Sequence, residues 1–175
     1  MHRKNLKDLS AEDKQTLARL IQQYVTPAVV SEHREAMASG VHNSPEGFLS
    51  FHRNYIAGLE RYLQRRGFEK WVPLPQWNPA DPIPEEFNIP NTGLGRLRNL
   101  NPNISFSPRF DPPNLGIFHS NEELGMALIG PHNRVHRTVG GVMNDLGRAP
   151  EAPIFWPWHS FIEDIWWNWQ QIPRL

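Results

Sequence analysis

Apolar residues recur at helical spacing along several parts of the chain. The first part covers residues 10–25, and Pro27 is expected to restart it as a second helix that ends near residue 40. A third helix is predicted over residues 45–66, because a Ser-Pro pair precedes it and a glycine follows it. Two shorter helices are predicted over residues 121–128 and 132–143, and a last one over about 154–171. The pattern predicts a mainly α protein with about four main helices.

Residues 72–115 follow no period and contain ten of the 17 prolines. A loop of this length is uncommon unless it packs against the rest of the domain. Trp77 and Phe87 give it apolar side chains to bury, so we expect this Pro-rich loop to wrap around the helices. No internal repeat marks a second unit, and residues 1–175 are predicted to form a single domain.

The charge balance, the lack of cysteine and the lack of long apolar runs exclude several classes of function. The 18 basic and 18 acidic residues cancel, so no overall field attracts nucleic acid or an anionic membrane. The chain has no cysteine, which excludes disulfides and thiolate metal sites. The N-terminus lacks the apolar core of a signal peptide, and no apolar run has membrane-spanning length. We therefore expect a cytoplasmic protein that binds neither nucleic acid nor membrane, with export by a helper protein as the alternative.

Histidines fall on the apolar faces of the predicted helices. His132 and His136 are four residues apart, which stacks them on one helix face. His33, His52 and His159 lie on the apolar stripes of three other helices. Burying several unpaired imidazoles in one small core is costly unless they hold a ligand. The pattern favours a metal centre between helices, with copper or zinc as the ion, over a set of structural core histidines.

Two blocks of sequence resemble the copper-binding blocks of tyrosinases, the type 3 copper proteins that also include catechol oxidases and hemocyanins. "HNSPEGFLSFHRNYIAGLE" is similar to the first block, H…FLPWHR-x-Y-x-x-x-x-E, within a copper A region over about 28–66. "HNRVHRTVGGVM" and "APIFWPWHSFIEDIW" are similar to the second, within a copper B region over about 121–171. The resemblance implies a four-helix bundle that holds two copper ions.

The resemblance also implies which histidines are ligands. Each copper ion would be held by three of them, and the first copper A ligand would be separated from the second by a short stretch of chain. The implied ligands are His33, His42 and His52 for copper A, and His132, His136 and His159 for copper B.

Other implied roles concern the substrate. Glu123, nine residues before His132, and Asn133, directly after it, match a pair proposed in tyrosinases to hold a water that takes the phenol proton. Arg137 matches a residue that orients acidic substrates, and Phe155 matches an aromatic residue beside the copper B ligands.

The chain departs from the family pattern at several positions. Phe51 replaces the usual Trp, Ala152 and Glu163 replace two Asp residues, and Trp158 replaces the first His of a His-His pair. Such changes would weaken the groups that hold the ligands in place. Glu60 stands where the first block has its Glu.

A tyrosinase-like phenol oxidase is therefore the expected function: it would use O2 to hydroxylate monophenols at the ortho position and to oxidise o-diphenols to o-quinones. Its partners would be phenolic small molecules and O2. We expect no lid domain over the site, so bulky phenols and phenolic groups on peptides are also expected substrates. Trp167, off the apolar stripe, marks a candidate homo-oligomer contact. The alternatives are a catechol or o-aminophenol oxidase, a non-catalytic O2-binding protein, and a zinc or structural bundle.

Overall fold

A computed structural model describes residues 3–88 and 97–173, so His2 lies outside the description. This part of the chain contains five α-helices and several short 3-10 turns, and its only β pairing is an isolated bridge between Asn5 and Gln76. The helices are α1 (Ala11–Tyr24), α2 (Pro27–Ala38), α3 (Pro45–Arg65), α4 (Asn121–Val139) and α5 (Phe155–Gln170).

Helix α3 is the centre of a helical bundle. It packs against α1, α4 and α5, and α2 joins it through a 3-10 turn over Val41–Asn43. The predicted mainly α bundle is confirmed. None of the described helices is both long and apolar enough to cross a lipid bilayer.

The first three helices begin where the sequence predicts. Ser10, Thr26 and Ser44 each accept a hydrogen bond from the backbone N–H three residues further on. This bond satisfies one of the free donors at a helix start. Pro27 and Pro45 each occupy the first turn, where the missing N–H breaks no helical bond. The predicted restart at Pro27 is confirmed.

The prediction of two separate helices over 121–128 and 132–143 is wrong. The structure has one helix, Asn121–Val139, which continues past Pro131, and a 3-10 turn over Gly141–Asn144 follows it. Proline removes one backbone hydrogen bond from a helix interior. Burial of a long apolar face against α3 stabilises the helix across that gap, because tertiary packing supplies most helical stability in proteins.

Close packing of α4 on α3 depends on a glycine. A Cβ atom at Gly125 would meet the backbone of Pro45, at the start of α3. Leu124, Leu128 and Val135 on the same helix are fully buried. The bare backbone at Gly125 thus lets the two helices that carry histidines approach each other.

The Pro-rich loop wraps around the bundle, as predicted. In its described parts, 72–88 and 97–115, Trp77, Phe87 and Leu115 are buried at 1% exposure or less. The backbone N–H of Trp77 donates to the carbonyl of Pro157 in α5 at 2.9 Å. Residues 89–96 of this loop lie outside the described residues.

Candidate metal centre

All six predicted ligands are buried, with at most 3% exposure. They come from four helices and one turn, so distant parts of the sequence meet at one place in the bundle. The six are His33 from α2, His42 from the turn after it, His52 from α3, His132 and His136 from α4, and His159 from α5.

Three of these histidines form a first group. Gly40 has φ +80° and the chain then makes a 3-10 turn, which brings the His42 ring to 4.9 Å from the His33 ring between centroids. A left-handed glycine turns the chain sharply without a Cβ clash, so the short connection is sufficient. His52 completes the group, and one ring nitrogen of each residue lies within 4.8 Å of the others.

The second group lies beside the first. The Nε2 atom of His132 is 3.0 Å from the Nε2 atoms of both His136 and His159. The rings of His52 and His159 stack at 4.3 Å with 19° between their planes. The six imidazoles therefore form one continuous cage with two adjoining centres.

Hydrogen bonds at Nδ1 fix the direction of the rings. His52 and His159 each donate from Nδ1 to the backbone carbonyl four residues earlier, and His136 donates to the carbonyl of Met143, all at 2.7 Å. Such bonds set the tautomer and aim Nε2 at a metal. Three of the six predicted ligands are thus oriented by hydrogen bonds to backbone carbonyls.

Several ring nitrogens inside the cage have no hydrogen-bond partner among the described residues. They are the Nε2 atoms of His42 and His52 and a ring nitrogen of His33. A buried polar atom without a partner costs about 1–3 kcal/mol. A metal ion would satisfy these atoms, and an all-nitrogen donor set suits copper or zinc. The residues fit a pair of copper ions.

Burial keeps the imidazoles neutral, which is the form that binds metal. Burial and the neighbouring His42 and His136 lower the pKa of His33 to about 3. Burial likewise lowers the pKa of His136 to about 4. The same cause lowers the pKa values of His52, His132 and His159 well below their usual range.

These shifts predict a pH dependence for the copper-free protein. Unfolded histidines bind protons below about pH 6.5, whereas the folded cage resists protonation down to about pH 3–4. The unfolded state therefore binds more protons in this window, and stability falls as the pH drops from about 6.5. Each histidine contributes up to about 1.4 kcal/mol per pH unit. Urea denaturation of copper-free protein at pH 8 and pH 5 measures this, and equal stability at the two values would contradict it.

Two of the predicted substrate-site residues lie at the cage. Asn133 Oδ1 is 3.0 Å from His132 Nδ1 and accepts a hydrogen bond from it. The Phe155 ring lies 3.9 Å from the His159 ring and 5.2 Å from the His33 ring. Asn133 therefore orients a ligand of the second group, and Phe155 forms an apolar wall shared by both groups.

The structure does not bring Glu123 and Asn133 together. They are ten residues apart on one continuous helix, which corresponds to about 15 Å along its axis. The Glu123 carboxylate is exposed and accepts a hydrogen bond from the backbone N–H of His119 at 2.6 Å, beside the Ser120 cap. Its geometry is that of a helix-start residue. A single water would not bridge this pair, so their shared role stays a prediction without geometric support.

Arg137 is exposed and lines a surface groove together with Arg134. It follows His136 in the sequence, but its guanidinium is not part of the cage.

Arg3 is a residue of the site region that sequence reasoning missed. It is 4% exposed and donates to Glu163 in α5 at 2.8 Å and to Glu60 in α3 at 2.8 Å. Arg53 also bonds to Glu163, at 3.0 Å. Burial opposes the charge of Arg3, but the two carboxylates outweigh it and raise the pKa of Arg3 above its usual value. The sequence feature that could have revealed Arg3 is the pair of carboxylates at Glu60 and Glu163, because two inward carboxylates require a cation.

Two departures from the family pattern are accommodated by packing. Trp158 is fully buried, and its ring stacks on His132 at 6.2 Å with 14° between the planes. Glu163, in place of Asp, reaches both Arg3 and Arg53. The first change supports a ligand by ring contact, and the second keeps an ion pair.

The helical fold and the cage of six imidazoles together define a class of metal protein. A helical bundle with two adjoining groups of buried imidazoles, directed by Nδ1 hydrogen bonds, is a dinuclear metal protein with nitrogen ligands. The family model for the common central domain of tyrosinase matches residues 14–114 and 106–172. The chain belongs to the tyrosinase family, whose cofactor is a dinuclear copper centre.

Relatives with known names match different parts of the chain. A tyrosinase from Streptomyces lincolnensis is 48% identical over 29% of this chain and 18% of its own length. A tyrosinase from Hahella sp. is 28% identical over 70% of this chain and 36% of its own. An A-type hemocyanin from Enteroctopus dofleini, units Ode to Odg, is 26% identical over 85% of this chain and 15% of its own length. The chain thus spans about a third or less of these relatives. No solved structure matches it.

Proposed function

We propose that this protein is a copper-dependent phenol oxidase that uses O2 to hydroxylate monophenols at the ortho position and to oxidise o-diphenols to o-quinones. The observation that carries the proposal is the contact between the two imidazole groups, where His52 stacks on His159 at 4.3 Å. The two adjoining groups would each hold one copper ion of the pair. When bound, the copper pair supplies the redox chemistry and the activation of O2.

The chain's own residues prepare the site in two ways. Nδ1 hydrogen bonds fix the ring planes before metal binds, so little reorganisation accompanies the reaction. Phe155 covers both groups with an apolar ring, which excludes water beside the ligands. Asn133 Oδ1 accepts a hydrogen bond from His132 Nδ1, so the Asn133 side chain fixes the orientation of the His132 ring.

Reconstitution followed by a substrate panel tests the proposal. Copper-free protein is loaded with copper or with zinc, and O2 consumption is measured with a monophenol, a catechol and an o-aminophenol. The proposal expects consumption with monophenol and catechol, and none with zinc. Activity confined to catechol or o-aminophenol would identify an oxidase without hydroxylation. Copper binding with reversible O2 uptake and no product would instead indicate an O2 carrier, the alternative that the hemocyanin relative favours.

Glu123 tests whether a distant carboxylate assists the phenol step. Because its carboxylate bonds to the backbone at the start of α4, we expect Glu123→Gln to lower phenol and catechol turnover to the same small extent. Gln keeps a side-chain oxygen that can accept this bond but loses the negative charge at the helix start, which should reduce stability by about 0.3–1 kcal/mol. Turnover rates with a monophenol and with its matching catechol, both measured at full copper occupancy, give the ratio of hydroxylation to catechol oxidation. A selective fall of about tenfold or more in phenol hydroxylation would show that Glu123 acts as the base.

A further inference from the structure

A groove of about 430 Å³ runs along the outside of α4, between this helix and the Pro-rich loop. Its walls combine cationic, hydroxyl and aromatic side chains. The residues that matter are Arg134 and Arg137 of α4, and Ser105, Phe106, Arg109 and Phe110 of the loop.

The groove is separate from the copper cage. Arg134 and Arg137 are exposed, whereas His132, His136 and Val139 on the same helix are buried. At 100° per residue, Arg134 lies roughly opposite the two histidines around the helix axis, and Arg137 lies about 100° from His136. A molecule in the groove therefore does not contact the imidazole nitrogens.

Three guanidinium groups around this groove have no carboxylate partner. None of the ion pairs found within residues 3–88 and 97–173 includes Arg109, Arg134 or Arg137. The chain as a whole has equal numbers of acidic and basic residues, so this local excess is a feature of the groove. Three like charges around one concavity repel each other, and a bound anion would relieve that repulsion.

The shape and chemistry of the walls indicate which anion fits. Guanidinium groups bind carboxylate and phosphate oxygens through paired N–H donors, and the Ser105 hydroxyl adds a donor. Phe106 and Phe110 form an aromatic wall, with the Arg109 guanidinium 4.8 Å from the Phe110 ring centroid. The floor at Gly130 is open, since a Cβ there would meet nothing within 4 Å. The volume exceeds that of an inorganic oxyanion and accommodates a ring attached to it.

We propose that this groove binds an aromatic oxyanion, a ring that carries a carboxylate or phosphate, with Arg109 and Arg134 holding the anion and Phe106 and Phe110 the ring. This site goes beyond the proposed oxidase function and does not depend on it. The copper centre acts on a phenolic oxygen, whereas the groove recognises a permanent negative charge.

Isothermal titration calorimetry on copper-loaded protein at low ionic strength tests the proposal. Phenyl phosphate is the probe, because it carries the ring and the charge but no phenolic hydroxyl. Inorganic phosphate, which has the charge without the ring, and benzyl alcohol, which has the ring without the charge, are the control ligands. We expect phenyl phosphate to bind at least about tenfold more tightly than either, and benzoate to bind if carboxylates share the site. Added salt should weaken the binding.

Variants assign the binding to the groove. Arg134→Gln and Arg109→Gln should each weaken phenyl phosphate binding by about tenfold or more, the loss expected for one charge-assisted contact. Arg19→Gln makes the same charge change on an exposed position of α1 and should leave binding unchanged. Equal binding by all three variants would overturn the proposal. So would equal affinity for inorganic phosphate, or binding that disappears when copper is removed, which would place the probe at the metal.

Discussion

Replacing His136 with alanine is expected to leave one copper ion per chain and to abolish phenol and catechol oxidation. His136 directs Nε2 to within 3.0 Å of His132 Nε2 while the Met143 carbonyl accepts a hydrogen bond from its Nδ1, so its ring is fixed in the second group. Losing a group that merely orients a ligand costs about 10–100-fold in metal affinity or activity. Losing the ligand itself should lower turnover by more than about a hundredfold.

Metal analysis and O2 consumption on the same sample measure both effects. His119→Ala is the matched control, because His119 is exposed and lies outside the cage, and it should keep two copper ions and full activity. Helix content by circular dichroism should be unchanged in both variants. A His136→Ala protein with two copper ions and normal turnover would show that this residue is not a ligand.

Replacing Arg3 with methionine is expected to cost about 3–5 kcal/mol of stability. Its guanidinium contacts Glu163 at 2.6 Å and Glu60 at 2.8 Å and also donates to the Leu74 carbonyl at 2.8 Å. Methionine fills a similar space but leaves two largely buried carboxylates without this cation. For a chain of this length, the melting temperature should fall by roughly 6–20 °C, at about 2–4 °C per kcal/mol.

Thermal unfolding of copper-free protein measures this loss without contribution from the metal. Lys4→Met removes the adjacent cation, which is exposed, and should change stability by less than about 0.5 kcal/mol. Arg3→Lys keeps the charge but not the two-pronged donor geometry, so its stability should lie between that of the wild type and Arg3→Met. If Arg3→Met and Lys4→Met melt at the same temperature, the buried ion network does not stabilise the fold.

The ion network also affects where the ligands sit. Glu163 lies one helical turn after His159 in α5, and Glu60 lies two turns after His52 in α3. Arg3 joins these two helices one to two helical turns away from the histidine rings that stack on each other. We therefore expect Arg3→Met to weaken copper binding as well as the fold.

Local spacing in the sequence was enough to predict most helices and to place five histidines on inward faces. Caps such as Ser10 and Ser44 and the proline at position 27 act within three or four residues, so their effect can be predicted without knowing the fold. Membership of the tyrosinase family was also evident in the sequence, because its two copper blocks are recognisable residue by residue. The Pro-rich loop was predictable only in outline.

Tertiary structure decided the features that depend on which faces meet. The continuity of α4 past Pro131 depends on its packing against α3. The stacking of His52 on His159 and the burial of Arg3 between two carboxylates join parts of the chain that are far apart. Spacing assigns a residue to a face of its own helix, but it does not determine the distance to another element. Glu123 and Asn133 show this limit of sequence spacing. If residues 121–128 and 132–143 formed two separate helices, as predicted, the two side chains could lie close together. One helix fixes them about 15 Å apart, because its rise is constant.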